Sequence, residues 1–165
     1  MLKDKGKFNG KINAEFTPPK TWVLDKALSF TPDNIKESDI ELLKEVGVNI
    51  NTKGKITCKK GMQTDLASVP RACWAFISPW DVARAAVIHD HIYAALRKYY
   101  ASEDYNEIKW SAARALADDV FLMGMNSAEP AVPCWKKFFC YYSVRVVEGD
   151  QLQKDDIQLQ TSSRN

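Results

Sequence analysis

Apolar residues change period along this chain, from near-alternation before residue 60 to steps of three and four after residue 80. In the first part, Gly10 to Phe16, Thr21 to Leu24 and Ala27 to Phe30 are short alternating runs separated by Pro18-Pro19 and by Pro32-Asp33-Asn34. They read as strands. Ile40 to Val46 reads as a short helix closed by Gly47, and Val48 to Ile50 with Lys55 to Cys58 flank Asn51-Thr52-Lys53-Gly54, a hairpin turn. In the second part Val82, Ala85, Ala86, His89, Tyr93 and Leu96 mark one helix face between Trp80 and Tyr100, with Ser78-Pro79-Trp80-Asp81 as its cap. Two more helices follow over about 105–125 and 133–147. The pattern predicts an α+β fold: one domain over residues 1–149, with an antiparallel β region at about 8–60, a loop at 61–79 and a three-helix core at about 80–148. Residues 150–165 are polar and rich in Gln and Ser, a flexible tail.

The only two histidines of the chain lie in the first long helix, in Ile88-His89-Asp90-His91-Ile92-Tyr93. At 3.6 residues per turn His89 shares a face with Ala85, Ala86 and Tyr93 and points to the core. His91 points elsewhere and is expected at the wet surface, while Asp90 lies about 100° round from His89 and can line the same cleft. On the next helix Asp118 sits among Ala115, Phe121 and Leu122 on the side expected to be buried, four residues from Arg114, with which it can pair. Asp119 is expected to be the more exposed acid. A short connection favours antiparallel helices, and that arrangement brings Asp118 to His89.

A histidine, an aspartate beside it and a second aspartate one helix away are the minimum for a hydrolytic site. The second acid fixes the imidazole tautomer and leaves the other ring nitrogen to take a proton from water. The first is then available to a hard cation, which polarises a carbonyl and stabilises its oxyanion. The competing reading is structural: a His-Asp pair on a half-buried helix is commonly a core pair, and Arg114 with Asp118 is an ordinary ion pair. In that reading Trp110, Trp135, Phe138, Phe139, Tyr141 and Tyr142 are simply core.

Composition narrows the field. A chain of 165 residues with 45% hydrophobic residues and five tryptophans folds as one globular domain. The net charge of +2, with no basic block interleaved with aromatics, gives no reason to expect a nucleic-acid partner. The charged start, Met1-Leu2-Lys3-Asp4-Lys5, has no signal-peptide core, and no apolar run approaches the ~20 residues of a membrane span, so an integral membrane protein is not expected. Cys58, Cys73, Cys134 and Cys140 have neither close paired spacing nor a histidine set, so zinc is not expected. Metal phosphohydrolases with a His-Asp pair need further histidines. Cys73 and Ser68 do not sit in a nucleophile elbow, and no glycine-rich phosphate loop is present.

Two resemblances add to this reading. Thr64-Asp65-Leu66-Ala67-Ser68-Val69-Pro70-Arg71, then Ala85 to Tyr93, then Arg114 to Phe121, resembles in order and spacing an uncharacterised family of small proteins from tailed phages and prophages, over roughly residues 20–148. That resemblance implies a viral origin, a location in the host bacterial cytoplasm or in the virion, and no function. His89-Asp90 with Tyr93, Ala117-Asp118-Asp119-Val120-Phe121 and a third helix with Tyr141-Tyr142-Ser143-Val144 looks like the core of the small bacterial and fungal secreted phospholipases of the A-two class. It implies an antiparallel helix pair in which His89 is general base, Asp118 its dyad partner, Tyr93 a support for the dyad and Asp90 a calcium ligand. The glycine-rich calcium loop and the disulfides of those enzymes are missing, and the segment Asp65 to Pro70 stands in the loop's place, making Asp65 the second candidate ligand. The expected partner is a lipid or ester substrate. Left open are a noncatalytic virion or tail-assembly component and an inhibitor of a host defence protein, either of which would bind a phage or host protein instead.

Overall fold

The computed structural model describes residues 4–18, 21–64, 79–129 and 131–146. Its strands are β1 (Gly6–Phe8), β2 (Ala14–Thr17), β3 (Thr21–Leu24), β4 (Leu28–Pro32), β5 (Ile56–Cys58) and β6 (Gln63–Thr64). They form two three-stranded antiparallel sheets, ordered β1-β4-β5 and β2-β3-β6. Helices are α1 (Glu37–Glu45), α2 (Pro79–Tyr100), α3 (Glu107–Asn126) and α4 (residues 134–146). The architecture is α+β, as the change of period predicts. None of these helices is long and apolar enough to cross a membrane.

Local chemistry explains the boundaries. α1 ends in a Schellman arrangement, with Val48 N–H donating to Leu43 O and Gly47 N–H to Lys44 O, and Gly47 takes the left-handed φ of 87° that this closure needs. The predicted hairpin narrows to a single bridge, Ile50 to Ile56, because the Asn51 side chain accepts from Lys53 N–H and Lys55 N–H and so fixes the turn itself. α3 starts where the Asn106 side chain accepts from Lys109 N–H at 3.0 Å.

Two boundaries differ from the pattern. β1 was not among the predicted runs, because only three residues pair, with Lys5 before them and Lys7 among them; its Phe8 is held against Phe30, with ring centroids 4.6 Å apart. Residues 63 and 64, expected in a loop, pair with β3 in the register Trp22↔Thr64, after Gly61 N–H donates to Leu24 O and Leu24 N–H to Met62 O.

The main core gathers Leu24, Leu28, Phe30, Leu43, Ile56, Ile88, Ile92 and Leu96 from both sheets, α1 and α2. A second cluster joins α2, α3 and α4 through Ala85, Ala86, Phe121, Met125, Cys140 and Val144. The three-helix core is thus accompanied by α1, whose Glu45 pairs with Lys109 of α3 at 2.8 Å.

Candidate functional site

α2 and α3 approach closely because the residues between them are small. A methyl group on Gly124 would lie 2.8 Å from Cβ of Ala85, and Ala86, Ala113 and Ala117 are also buried. Ala85 faces Gly124, His89 meets Phe121 and Asp118, and Tyr93 meets Asp118. Numbers rise on one helix as they fall on the other, so the pair is antiparallel.

In this close interface His89 Nε2 lies 3.1 Å from Asp118 Oδ1, and the Tyr93 hydroxyl donates to the same oxygen at 2.9 Å. Arg145 Nε of α4 lies 3.4 Å from Asp118 Oδ2. Three donors converging on one carboxylate match its acceptor-only chemistry, so Nε2 carries a proton toward Asp118, and in the neutral form of the ring Nδ1 is the nitrogen with the lone pair. His89 is 0% exposed and Asp118 1%, with the imidazole between the rings of Tyr93 and Phe121 at 4.3 and 5.0 Å. Among the described residues Nδ1 is buried without a hydrogen-bond partner. An orphan of this kind costs about 1–3 kcal/mol.

The structure therefore brings His89, Tyr93 and Asp118 together. His89 and Asp118 are buried, and neither lines either of two cavities, of about 410 and 490 Å³, that the described residues form. Asp90 is half-buried one step round α2, where Thr64 Oγ1 donates to its Oδ2. Thr64 also lines the cavity of about 410 Å³ with Ile12, Trp22, Leu24 and Val87, whose charged side chains are Lys11, Arg84 and Glu129. It is Asp90, through Thr64, that borders this space.

Asp65 lies outside the described residues, as do Ser68, Cys73 and the cap residue Ser78. The hydroxyl of Thr64 and the carboxylate of Asp90 are hard oxygen donors of the kind calcium takes. Among the described residues no three His, Cys, Asp or Glu side chains gather.

Several neighbours differ from the pattern. Arg114 does not pair with Asp118; its Nη2 donates to Arg145 O at 2.9 Å, and Arg145, 27 residues beyond Asp118 in sequence, takes its place because α4 crosses that end of the dyad. Asp119 is more exposed than Asp118, as expected, but it is buried too and accepts the Tyr141 hydroxyl at 2.8 Å. Burial pushes the Asp119 carboxyl up from its ordinary value, against the opposing pull of that hydrogen bond and of Arg145. Burial and the bond to Asp119 push Tyr141 up to about 12. Tyr141 and Arg145 were missed as site residues, although their spacing of four on the third predicted helix put them on one face; Arg145 Nη1 donates to the Tyr141 hydroxyl at 2.8 Å.

His91 is half-buried instead of wet: Asn49 N–H donates to its Nε2 at 3.4 Å, and burial, then the charges of Lys98 and Lys59, lower its pKa. The Cys58 thiol, donating to Val87 O, is pushed up to about 12 by burial and the nearby Asp90 charge, so it is no nucleophile. Trp135, Phe139 and Tyr142, expected in the core, are exposed. Helical spacing alone does not say which stripe of α4 meets α3.

The fold and the site define a class: an α+β protein with a buried His-Asp-Tyr cluster between antiparallel helices. The sequence pattern of the family described as "Protein of unknown function (DUF1353)" matches residues 40–144, and the chain belongs to that family. The match takes in β5, β6, α2, α3 and α4 as far as residue 144, one short of Arg145. No curated protein and no solved structure matches the chain significantly.

Proposed function

We propose that this chain is a phage-encoded hydrolase of phospholipase-like construction, acting on an ester or phospholipid. The observation that carries the reading is the asymmetry of the His89 ring: Nε2 is locked on Asp118, while Nδ1 is buried with no hydrogen-bond partner among the described residues. A purely structural histidine tends to have both nitrogens satisfied, and the cost of the orphan has a purpose if Nδ1 receives a proton. Phage origin rests on the order and spacing of the three sequence motifs.

The chemistry follows from this chain's own residues. Nδ1 takes a proton from water as the water oxygen attacks the ester carbonyl, and Asp118, held by Tyr93 and Arg145, stabilises the imidazolium that forms. The carbon–oxygen bond to the alcohol then breaks, and the imidazolium returns its proton to the departing oxygen. Asp90, with Thr64 beside it, is the residue that would hold calcium, which when bound supplies polarisation of the carbonyl. The cavity next to Thr64, lined by Ile12, Trp22, Leu24 and Val87, suits an acyl chain, and among its charged side chains Lys11 and Arg84 outnumber Glu129.

The full burial of His89 and Asp118 favours a second reading, a noncatalytic virion or tail-assembly component in which the cluster clamps α2 to α3. His89→Gln separates the two, because Gln keeps a donor for Asp118 but not a proton acceptor near neutral pH. For the enzyme, purified wild-type protein hydrolyses a short-chain phospholipid in calcium and loses this in a chelator. The Gln variant is inactive with stability within about 2 kcal/mol of wild type. Equal background from both proteins rejects the hydrolase and leaves the structural component.

A further inference from the structure

Asp119 is only 9% exposed, yet one of its two carboxylate oxygens is left unused. Oδ1 accepts the Tyr141 hydroxyl, and Oδ2 accepts no hydrogen bond among the described residues. The side chain lines a groove of about 490 Å³ between α3, α1 and the end of β4. Ile35, Leu42, Leu116 and Val120 form apolar walls, and Ala112 and Ala115 leave room because each projects only a methyl group from α3. The charged side chains of the groove are Asp4, Asp39 and Asp119 against Lys36; Asp4 already accepts from Asn34 Nδ2, and Asp39 lies in the first turn of α1. Burial opposes the Asp119 charge, and Tyr141 and Arg145 offset that only in part.

We propose that this groove binds a small organic amine, with its ammonium on Asp119 Oδ2 and its apolar body between α1 and α3. The excess of acid favours a cation, and a charge-assisted hydrogen bond to a buried carboxylate gains most where water is scarce. A metal ion fits worse, since no three ligating side chains gather among the described residues and the walls are hydrocarbon. The volume is that of a small-molecule site, about 300–1,000 Å³, whereas a stable protein partner needs a contact of about 1,000 Å² or more. Lys36 opposes a second positive charge and so points to a monoamine. The inference goes beyond the hydrolase reading and is independent of it, because neither His89, Tyr93 nor Asp90 lines this groove.

Isothermal titration calorimetry of the full chain with phenethylamine tests this, beside phenylethanol, which has nearly the same shape and no charge, and calcium chloride. Wild type is expected to bind the amine saturably and the alcohol at least about tenfold more weakly. Asp119→Asn keeps the size of the side chain and an acceptor for Tyr141, and it should weaken amine binding at least about tenfold. Ala115→Leu fills the groove without touching an acid, and it should abolish binding with an unchanged circular dichroism spectrum. Absence of saturable amine binding to wild type overturns the proposal, as does an alcohol bound as tightly as the amine or an affinity that both substitutions leave intact. Calcium that displaces the amine assigns the groove to a metal ion and overturns it too.

Discussion

Asp118 and Asp119 are neighbours on α3, both buried, and each accepts a tyrosine hydroxyl, at 2.9 and 2.8 Å. A one-residue step turns them by about 100°, and they meet different helices. Asp118 faces α2, where Tyr93 and His89 converge on one oxygen while Arg145 takes the other. Asp119 faces α4 and also lines a groove of about 490 Å³ beside β4 and α1. What distinguishes them is the donor set, not the acid. The acid that receives an imidazole can organise chemistry, whereas the acid that receives only Tyr141 among the described side chains ties two helices together with its own ionisation opposed by burial.

The largest difference should come from deleting each acid. Asp118→Ala strands His89 Nε2 and removes the carboxylate that accepts the Tyr93 hydroxyl in a buried interface, and should cost about 3–5 kcal/mol. Asp119→Ala leaves the Tyr141 oxygen still accepting from Arg145 but frees its O–H, which at 8% exposure can turn toward water, and should cost only about 1 kcal/mol. Urea denaturation ranks the two, and equal losses would break the comparison.

The tyrosines sharpen it. Tyr93→Phe removes a buried hydrogen bond to a carboxylate and should lower stability by about 1.5–3 kcal/mol, while Tyr141→Phe, at a site where Asp119 and Arg145 can rehydrate, should lower it by about 1 kcal/mol. If the Tyr141 variant proves the weaker protein, α4 is clamped more firmly than its exposed neighbours suggest.

The smallest effect is in the pH dependence. A carboxyl whose folded pKa stands above its unfolded value binds its proton more tightly when folded. For Asp119 the resulting stability is present below the ordinary value of 3.8 and is lost as pH rises from there through the raised folded value. Asp119→Asn abolishes this loss, so the variant should gain on wild type across that window and hold a constant difference below it. Denaturation midpoints at a series of acidic pH values read the gain directly; a variant that fails to gain on wild type as pH rises through the window contradicts the assignment.

Much of this was legible in the chain because it is local. The change of apolar period at the segment between Gly61 and Pro79 announced strands and then helices, Gly47 and Asn51 marked the turns they make, and residues 85, 86, 89 and 93 defined a buried face of α2. The meeting of His89 with Asp118 followed from two periodic faces and a short connection. β1 and β6 were not legible, since strands of three and two residues carry too little pattern and exist only because β4 and β3 offer them partners.

The sequence by itself determined which residues could form the cluster, because spacing along a helix fixes the direction of each side chain before any packing occurs. Only the tertiary structure decided how the cluster is completed. Arg145 displaced Arg114 as the partner of Asp118 because α4 crosses α3 at that turn. The same crossing turned Trp135, Phe139, Tyr142 and Val146 outward. Helical periodicity gives α4 several apolar directions at once, and the choice between core and surface is made by which of them fits the groove already filled by Phe121 and Met125.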